Sequence, residues 1–258
     1  MKLLILLLSL TTHQIYSQTI METTCLNIGD STLTINHQYI EKDSSILYLN
    51  IHEDEQTSIE AIRAFQKIKP VNFTFIEHNK TRRINFNIKN TNYSFDPNRI
   101  YTPLGRKKTI EPRQFLKFKP RVVTKFIANH IIKIVNKYDV IVTLHNNTDV
   151  NYSIKSYLPG KDESENTAEV YITENWDADD FVYTTEKSYF DYLKAKEVNV
   201  ILQKQSGYVN DGSLSIYCGQ ENIKYLNIEA QKGHLDEQIK LIVIVDEMLQ
   251  KLNKETLY

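Results

Sequence analysis

Apolar positions along the chain change their period several times, and the changes predict alternating strands and helices. Cys25 to Ile28 and Ser31 to Ile35 flank Gly29-Asp30, a glycine-first pair that predicts an opening β-hairpin. Ile46 to Ile51 is a short apolar run without helical period, which predicts an interior strand. Ile59, Ala61, Ile62, Phe65 and Ile68 then recur at spacings suited to one helix face, predicting a helix over Thr57 to Ile68. Strand-like runs follow at Val71 to Ile76 and Ile84 to Ile88. Across Arg121 to Tyr138 the pattern predicts an amphipathic helix started by Pro120, with Val122, Val123, Phe126, Ile127, Ile131, Ile134 and Val135 inward. Val140 to Leu144 reads as another interior strand, Glu186 to Gln205 as a helix, Ile223 to Ile228 as a strand and Asp236 to Lys251 as a closing helix. Strands alternating with helices predict an α/β sheet covered on both faces. No repeat or low-complexity linker interrupts the pattern, so one domain is expected. The acidic stretches Lys161 to Asn166 and Asp177 to Asp180 read as solvated loops.

The first residues follow a different logic. One positive charge at Lys2, an apolar run from Leu3 to Leu10 and a small residue at Ser17 have the layout of a secretory signal peptide. Residues 1–17 are therefore expected to be a leader, and residues 18–258 a mature domain in a periplasm or outside the cell. The run is too short to cross a bilayer, which needs about 20 residues, and no later stretch is long and apolar enough. In an oxidising compartment Cys25 and Cys218 either pair in one disulfide or stay as thiols, and their spacing leaves both open.

Composition removes several classes of chemistry. The 258 residues include only seven glycines, well under the usual share of about 7%. No two stand in a G-x-G arrangement, and where Gly207 and Gly212 have P-loop spacing, Ser213 replaces the required Lys. A nucleotide held on a glycine-rich loop is thereby excluded. The formal net charge of −1 offers no basic excess for a phosphate backbone, so nucleic acid is not expected as a partner.

Three apolar strands end alike. ILYLNI runs into His52, VIVTL into His145 and IKYLNI into Glu229. In α/β sheets ligands gather outside the carboxyl ends of strands, so these side chains can converge although they are distant in sequence. Glu55 joins His52 at a spacing of three, which a turn can aim at the same cation. His52, Glu55 and His145 would then supply two imidazoles and one carboxylate of an open zinc site. In Ser94-Phe-Asp-Pro-Asn-Arg99, a turn initiated by Asp96-Pro97 presents an amide and a guanidinium side by side. Arg99 is suited to grip a substrate carboxylate with two prongs, and Asn98 to assist it.

The order His-x-x-Glu, Asn-Arg, strand-terminal His and late strand-terminal Glu resembles the zinc carboxypeptidases and their succinylglutamate desuccinylase/aspartoacylase relatives. The resemblance spans about Ile46 to Gln238. It implies a single-domain α/β/α sandwich with a mixed, mostly parallel sheet and helices on both faces. It also implies one zinc ion on His52, Glu55 and His145, a carboxylate grip by Asn98 and Arg99, and Glu229 acting on the water. An upstream arginine polarises the scissile carbonyl in that family. Arg82 and Arg83 both stand at a suitable distance and the local sequence leaves the choice open; the assignment adopted makes Arg83 catalytic and Arg82 substrate-binding. For the mobile tyrosine of the family, Tyr208 and Tyr217 are candidates, with Tyr208 adopted. Tyr152 and Tyr157 are expected to line the cleft, and Gly233-His234 either to shape the turn into the last helix or to contribute to the site wall.

The function implied is zinc-assisted hydrolysis of an amide bond next to a free carboxylate, in a peptide or an N-acyl amino acid. Thr143-Leu-His-Asn-Asn147 is also similar to zinc-dependent cell-wall amidases, which makes amidase activity the nearest alternative. A non-catalytic peptide- or glycan-binding protein on the same fold is the rival from another class. A glycosidase using two carboxylates would leave His52 and His145 unexplained. Oligomeric state is not legible.

Overall fold

The glycine-first pair does form a two-residue turn, joining β1 (Thr19–Ile28) to β2 (Ser31–Ile40) in antiparallel register. Gly29 has φ +69° there, and a Cβ at that position would lie 2.1 Å from the carbonyl oxygen of Asn87, so both conformation and space demand glycine. This computed structural model describes residues 19–43, 45–112, 118–148 and 152–255. The leader assigned to residues 1–17 lies outside the described residues.

The chain continues through β3 (Ile46–Asn50), α1 (Gln56–Gln66), β4 (Asn72–Glu77), β5 (Ile84–Ile88) and β6 (Thr91–Phe95). Next come α2 (Pro103–Thr109), α3 (Phe118–Val135), β7 (Val140–Asn147), β8 (Thr167–Tyr171), β9 (Phe181–Thr184) and α4 (Lys187–Ala195). β10 (Val200–Gln203), α5 (Leu214–Glu221), β11 (Lys224–Gln231) and α6 (Leu235–Glu255) complete it. Nine strands form one sheet in the order β1-β2-β4-β3-β7-β11-β9-β10-β8. The centre, β4-β3-β7-β11, is parallel, as is β9-β10, and the remaining neighbours are antiparallel, so the sheet is mixed. β5 and β6 form a separate two-stranded sheet.

Strand alternation divides the core in two. Leu47, Leu49, Ile141 and Ile201 face one cluster with Ile127, Ile131 and Val135 of α3 and Leu214 and Cys218 of α5. Tyr48, Val140, Val142, Leu144, Val200, Leu226 and Ile228 face the other, with Ile62 and Phe65 of α1, Phe190 of α4 and Leu241 to Leu249 of α6. Two apolar layers around a sheet buried on both faces make the α/β/α sandwich, and they explain why its central strands read as continuous apolar runs.

Several sequence expectations change. Ile68 lies beyond the end of α1 and is 74% exposed rather than part of its inner face. α3 begins at Phe118, two residues before Pro120, and its buried positions are Pro120, Thr124, Ile127, Ala128, Ile131 and Val135, whereas Val122 and Phe126 point to solvent. Glu186 to Gln205 is not one helix: α4 stops at Ala195, and Val200–Gln203, opened by the β-branched Val200 and Ile201, forms β10. Asp179 and Asp180 are buried, Asp180 accepting from the Gln231 amide and from His234 Nδ1. Cys25 is exposed, Cys218 is buried, and both are free thiols.

One buried histidine makes stability pH-dependent. His37 contacts Thr74 Oγ1 at 2.8 Å and the Tyr138 hydroxyl at 3.2 Å, and burial, helped by Lys137 and opposed by Glu22, lowers its pKa from 6.5 to about 4. The folded protein thus binds this proton less readily than the unfolded chain. Its contribution to stability is complete above pH 6.5 and is lost as pH falls from there towards 4. Denaturant unfolding at pH 7 and pH 4.5 should show this loss, and it should shrink in His37→Gln.

Candidate metal centre and substrate cavity

The three parallel strands β3, β7 and β11 are neighbours in the sheet, so their carboxyl ends open at one edge. His52 follows β3, His145 lies in β7, and Glu229 in β11 stands in register with His145. All three are buried. A tight turn, with the Glu55 amide donating to the His52 carbonyl, folds Glu55 back over His52. Glu55 is also the N-cap of α1, yet its side chain makes no capping bond, which leaves the carboxylate facing the histidines. Asn50, Ser58, Asn146 and Gln238 lock this edge from behind: Asn50 Nδ2 donates to Ser58 Oγ, the Ser58 amide to Asn146 Oδ1, Asn146 Nδ2 to Gln238 Oε1, and Gln238 Nε2 to the His145 carbonyl.

The result is a tight donor cluster. His52 Nδ1 lies 3.0 Å from Glu55 Oε1 and 3.1 Å from His145 Nδ1, and His145 Nδ1 lies 2.9 Å from Glu55 Oε2. These ligand atoms all fall within 4.8 Å of one another, and among the described residues they form the group able to hold a metal ion. On its other side His52 Nε2 sits 2.9 Å from Asp96 Oδ1. A ring that donates from Nε2 to a carboxylate presents its Nδ1 lone pair to the cluster, the arrangement that orients metal-binding histidines. Burial opposes charge on His52, but Glu55 and Asp96 outweigh it and raise the ring's pKa to about 9. Burial likewise opposes ionisation of Glu55, while His145 and His52 hold its carboxyl well below the usual range. The donor chemistry, two imidazole nitrogens and one carboxylate, fits a borderline-soft divalent ion such as zinc.

A cavity of about 500 Å³ opens over the cluster, lined among others by Arg82, Asn98, Arg99, Tyr152, Tyr157 and Glu229. Glu229 accepts from Asn227 Nδ2 at 3.0 Å; burial raises its carboxyl pKa, His145 opposing that shift and Glu55 adding to it. Arg82 donates to Glu55 Oε1 at 2.6 Å. Arg99 is held by Asp211 at 3.5 Å and by its own bond to the Asn98 carbonyl. Asn98 Oδ1 is committed to the Leu214 amide, tying the turn to the start of α5.

Two expected site residues are not brought to the cavity. Arg83 turns away and donates to Ser94 Oγ and the Thr109 carbonyl, so it braces the β5-β6 sheet, and its neighbour Arg82 is the one at the site. Tyr208 is absent from the cavity wall, and Tyr217 bonds Asn136 instead; Tyr152, Tyr157, Tyr183 and Tyr225 supply the lining phenols. Gly233, at φ +96°, and His234 shape the turn before α6 and do not line the cavity. Sequence reading missed Asp96 as a partner of His52, seeing only a turn former. It also missed Glu53, whose carboxylate accepts from the His78 and Lys80 amides and thereby holds the loop that carries Arg82.

No protein-family model matches this sequence, and no curated protein matches it. Solved structures do resemble it. A candidate metallopeptidase of Shewanella amazonensis is 15% identical, with 90% of this chain and 86% of that one covered and a TM-score of 0.45. An aspartoacylase family protein of Mesorhizobium loti is 11% identical, with 88% and 67% covered and a TM-score of 0.46. A metallo-carboxypeptidase of Burkholderia cenocepacia is 11% identical, with 92% and 65% covered and a TM-score of 0.43.

Proposed function

We propose that this protein is an exported zinc-dependent hydrolase that cleaves an amide bond beside a free carboxylate, in a peptide or an N-acyl amino acid. The observation that carries the reading is the meeting of His52 Nδ1, Glu55 and His145 Nδ1 at one point beside the buried Glu229. Export rests on the leader layout of residues 1–17.

When bound, zinc supplies Lewis-acid chemistry, polarising the scissile carbonyl and making a water nucleophilic near neutral pH. His52, Glu55 and His145 would hold it, with Asp96 orienting His52 from behind. The Glu229 carboxylate takes the proton of the attacking water and returns it to the departing amine; its raised pKa suits both transfers. Arg82, fixed by Glu55, is placed to stabilise the developing oxyanion. Arg99 grips the substrate carboxylate at the cavity wall, which sets the bond to be cut against the reacting centre and removes part of the entropic barrier. A 500 Å³ cavity suits one acylated amino acid or the terminal residues of a peptide.

The test is hydrolysis by zinc-loaded protein of N-acyl amino acids and short peptides with free or amidated C-termini. Turnover of the free-carboxylate substrates, lost with a chelator and restored by zinc, is the expected result. No turnover of any of them, or turnover indifferent to the chelator, would overturn the reading. A separate expectation concerns Asp96. Asp96→Asn keeps the shape of the side chain but weakens its hold on His52, and should lower zinc affinity by about 10- to 100-fold in a competition titration with a metal indicator.

A further inference from the structure

The first half of α3 carries an exposed apolar stripe, in which Phe126 packs edge-on against the ring of His130 on the same helix. Phe118 is 81% exposed, Val122 46% and Phe126 45%. At spacings of four they form one row on the helix surface, on the side opposite Ile127, Ile131 and Val135, which enter the core. Lys119, Arg121 and Lys125 stand exposed around the row, and none is ion-paired with another described residue. α2 packs against α3 and adds exposed Leu104, Lys107 and Lys108. α2 and α3 together hold seven Lys and Arg and no acidic residue, leaving 24 basic against 32 acidic residues elsewhere. Two packed helices free of acidic residues thus carry seven of the 31 Lys and Arg beside the exposed Phe118, Val122 and Phe126.

We propose that this face docks the protein on an anionic lipid surface, with Phe118, Val122 and Phe126 entering the headgroup boundary and the surrounding Lys and Arg meeting lipid phosphates. Either feature alone would be unremarkable; basic charge interleaved with a row of exposed aromatic and aliphatic side chains is what an interfacial helix requires. A hydrated polyanion would use the charge and leave the apolar row uncovered. No helix among the described residues is long and apolar enough to cross the bilayer.

The test is co-sedimentation of the full chain with vesicles of phosphatidylcholine alone and of phosphatidylcholine mixed with phosphatidylglycerol, at low and high salt. Binding is expected to the mixed vesicles only, weakening with salt. Phe118→Ser/Phe126→Ser and Lys119→Ser/Lys125→Ser should each retain the native circular dichroism spectrum. The charge variant should lose about thirtyfold in partitioning, at roughly a fivefold loss per removed charge, and the apolar variant at least tenfold. Residues 1–17 are common to every sample, so these differences report on α3. Equal binding to both vesicle types, or binding unchanged in either variant, overturns the proposal. So does a dimer in solution that the Phe118→Ser/Phe126→Ser variant converts to monomer, since a second copy would then be what covers the stripe.

Discussion

Glu229→Gln should leave zinc content and folding intact while lowering kcat by about 10²- to 10⁴-fold, the range expected when a positioned acid-base group is lost. The substitution is nearly isosteric, and Gln keeps an oxygen for the bond from Asn227 Nδ2. Glu229 is not among the three residues of the ligand cluster, so removing its charge does not remove a donor. It does remove a buried carboxylate of the cavity that stands in register with His145 and can shuttle a proton there. Equal turnover in wild type and variant, measured at matched zinc occupancy, would take Glu229 out of the mechanism.

Arg99→Ala should act on recognition. Its guanidinium is held from behind by the Asn98 carbonyl and Asp211, which fixes the fork before substrate arrives. Loss of a charge-assisted, two-pronged grip is expected to cost about a hundredfold in kcat/KM for substrates with a free carboxylate. Most of that cost should appear in KM. Amidated analogues, which cannot use the grip, should be hydrolysed equally by variant and wild type. A variant that still prefers the free acid over the amide would show that another group reads the carboxylate; Lys232, also on the cavity wall, would be the first to examine.

How much of this was legible in the sequence depends on the distance over which each feature is decided. His52, His145 and Glu229 were readable because each terminates an apolar run, and a parallel sheet delivers such termini to one edge. Glu55 was readable from a three-residue spacing that one turn resolves. The choice between Arg82 and Arg83 was not readable. It depends on Glu53, about thirty residues earlier, gripping the amides of His78 and Lys80 and so setting which of two adjacent side chains faces the cavity. Asp96 was seen as a turn former because its local bond to the Asn98 amide explains it fully; its second bond, to His52, is made across 44 residues. The same division holds for the fold. β10 was read as helix because a short apolar run has no period of its own, and only pairing with β8 and β9 makes it a strand. On α3, apolar character alone put Val122 and Phe126 inward, whereas the geometry of the helix on the sheet leaves them out. That misassignment marks the residues on which the proposed lipid contact depends.

The central claim is that three residues from two strand ends form one metal centre. Anomalous diffraction at the zinc absorption edge, from crystals of the protein supplied with zinc, tests it most directly. The expected result is a single strong peak about 2.0–2.2 Å from His52 Nδ1, His145 Nδ1 and a Glu55 carboxylate oxygen, at full occupancy. Density showing these side chains still bonded to one another with no peak between them, or zinc bound only elsewhere on the molecule, would contradict it.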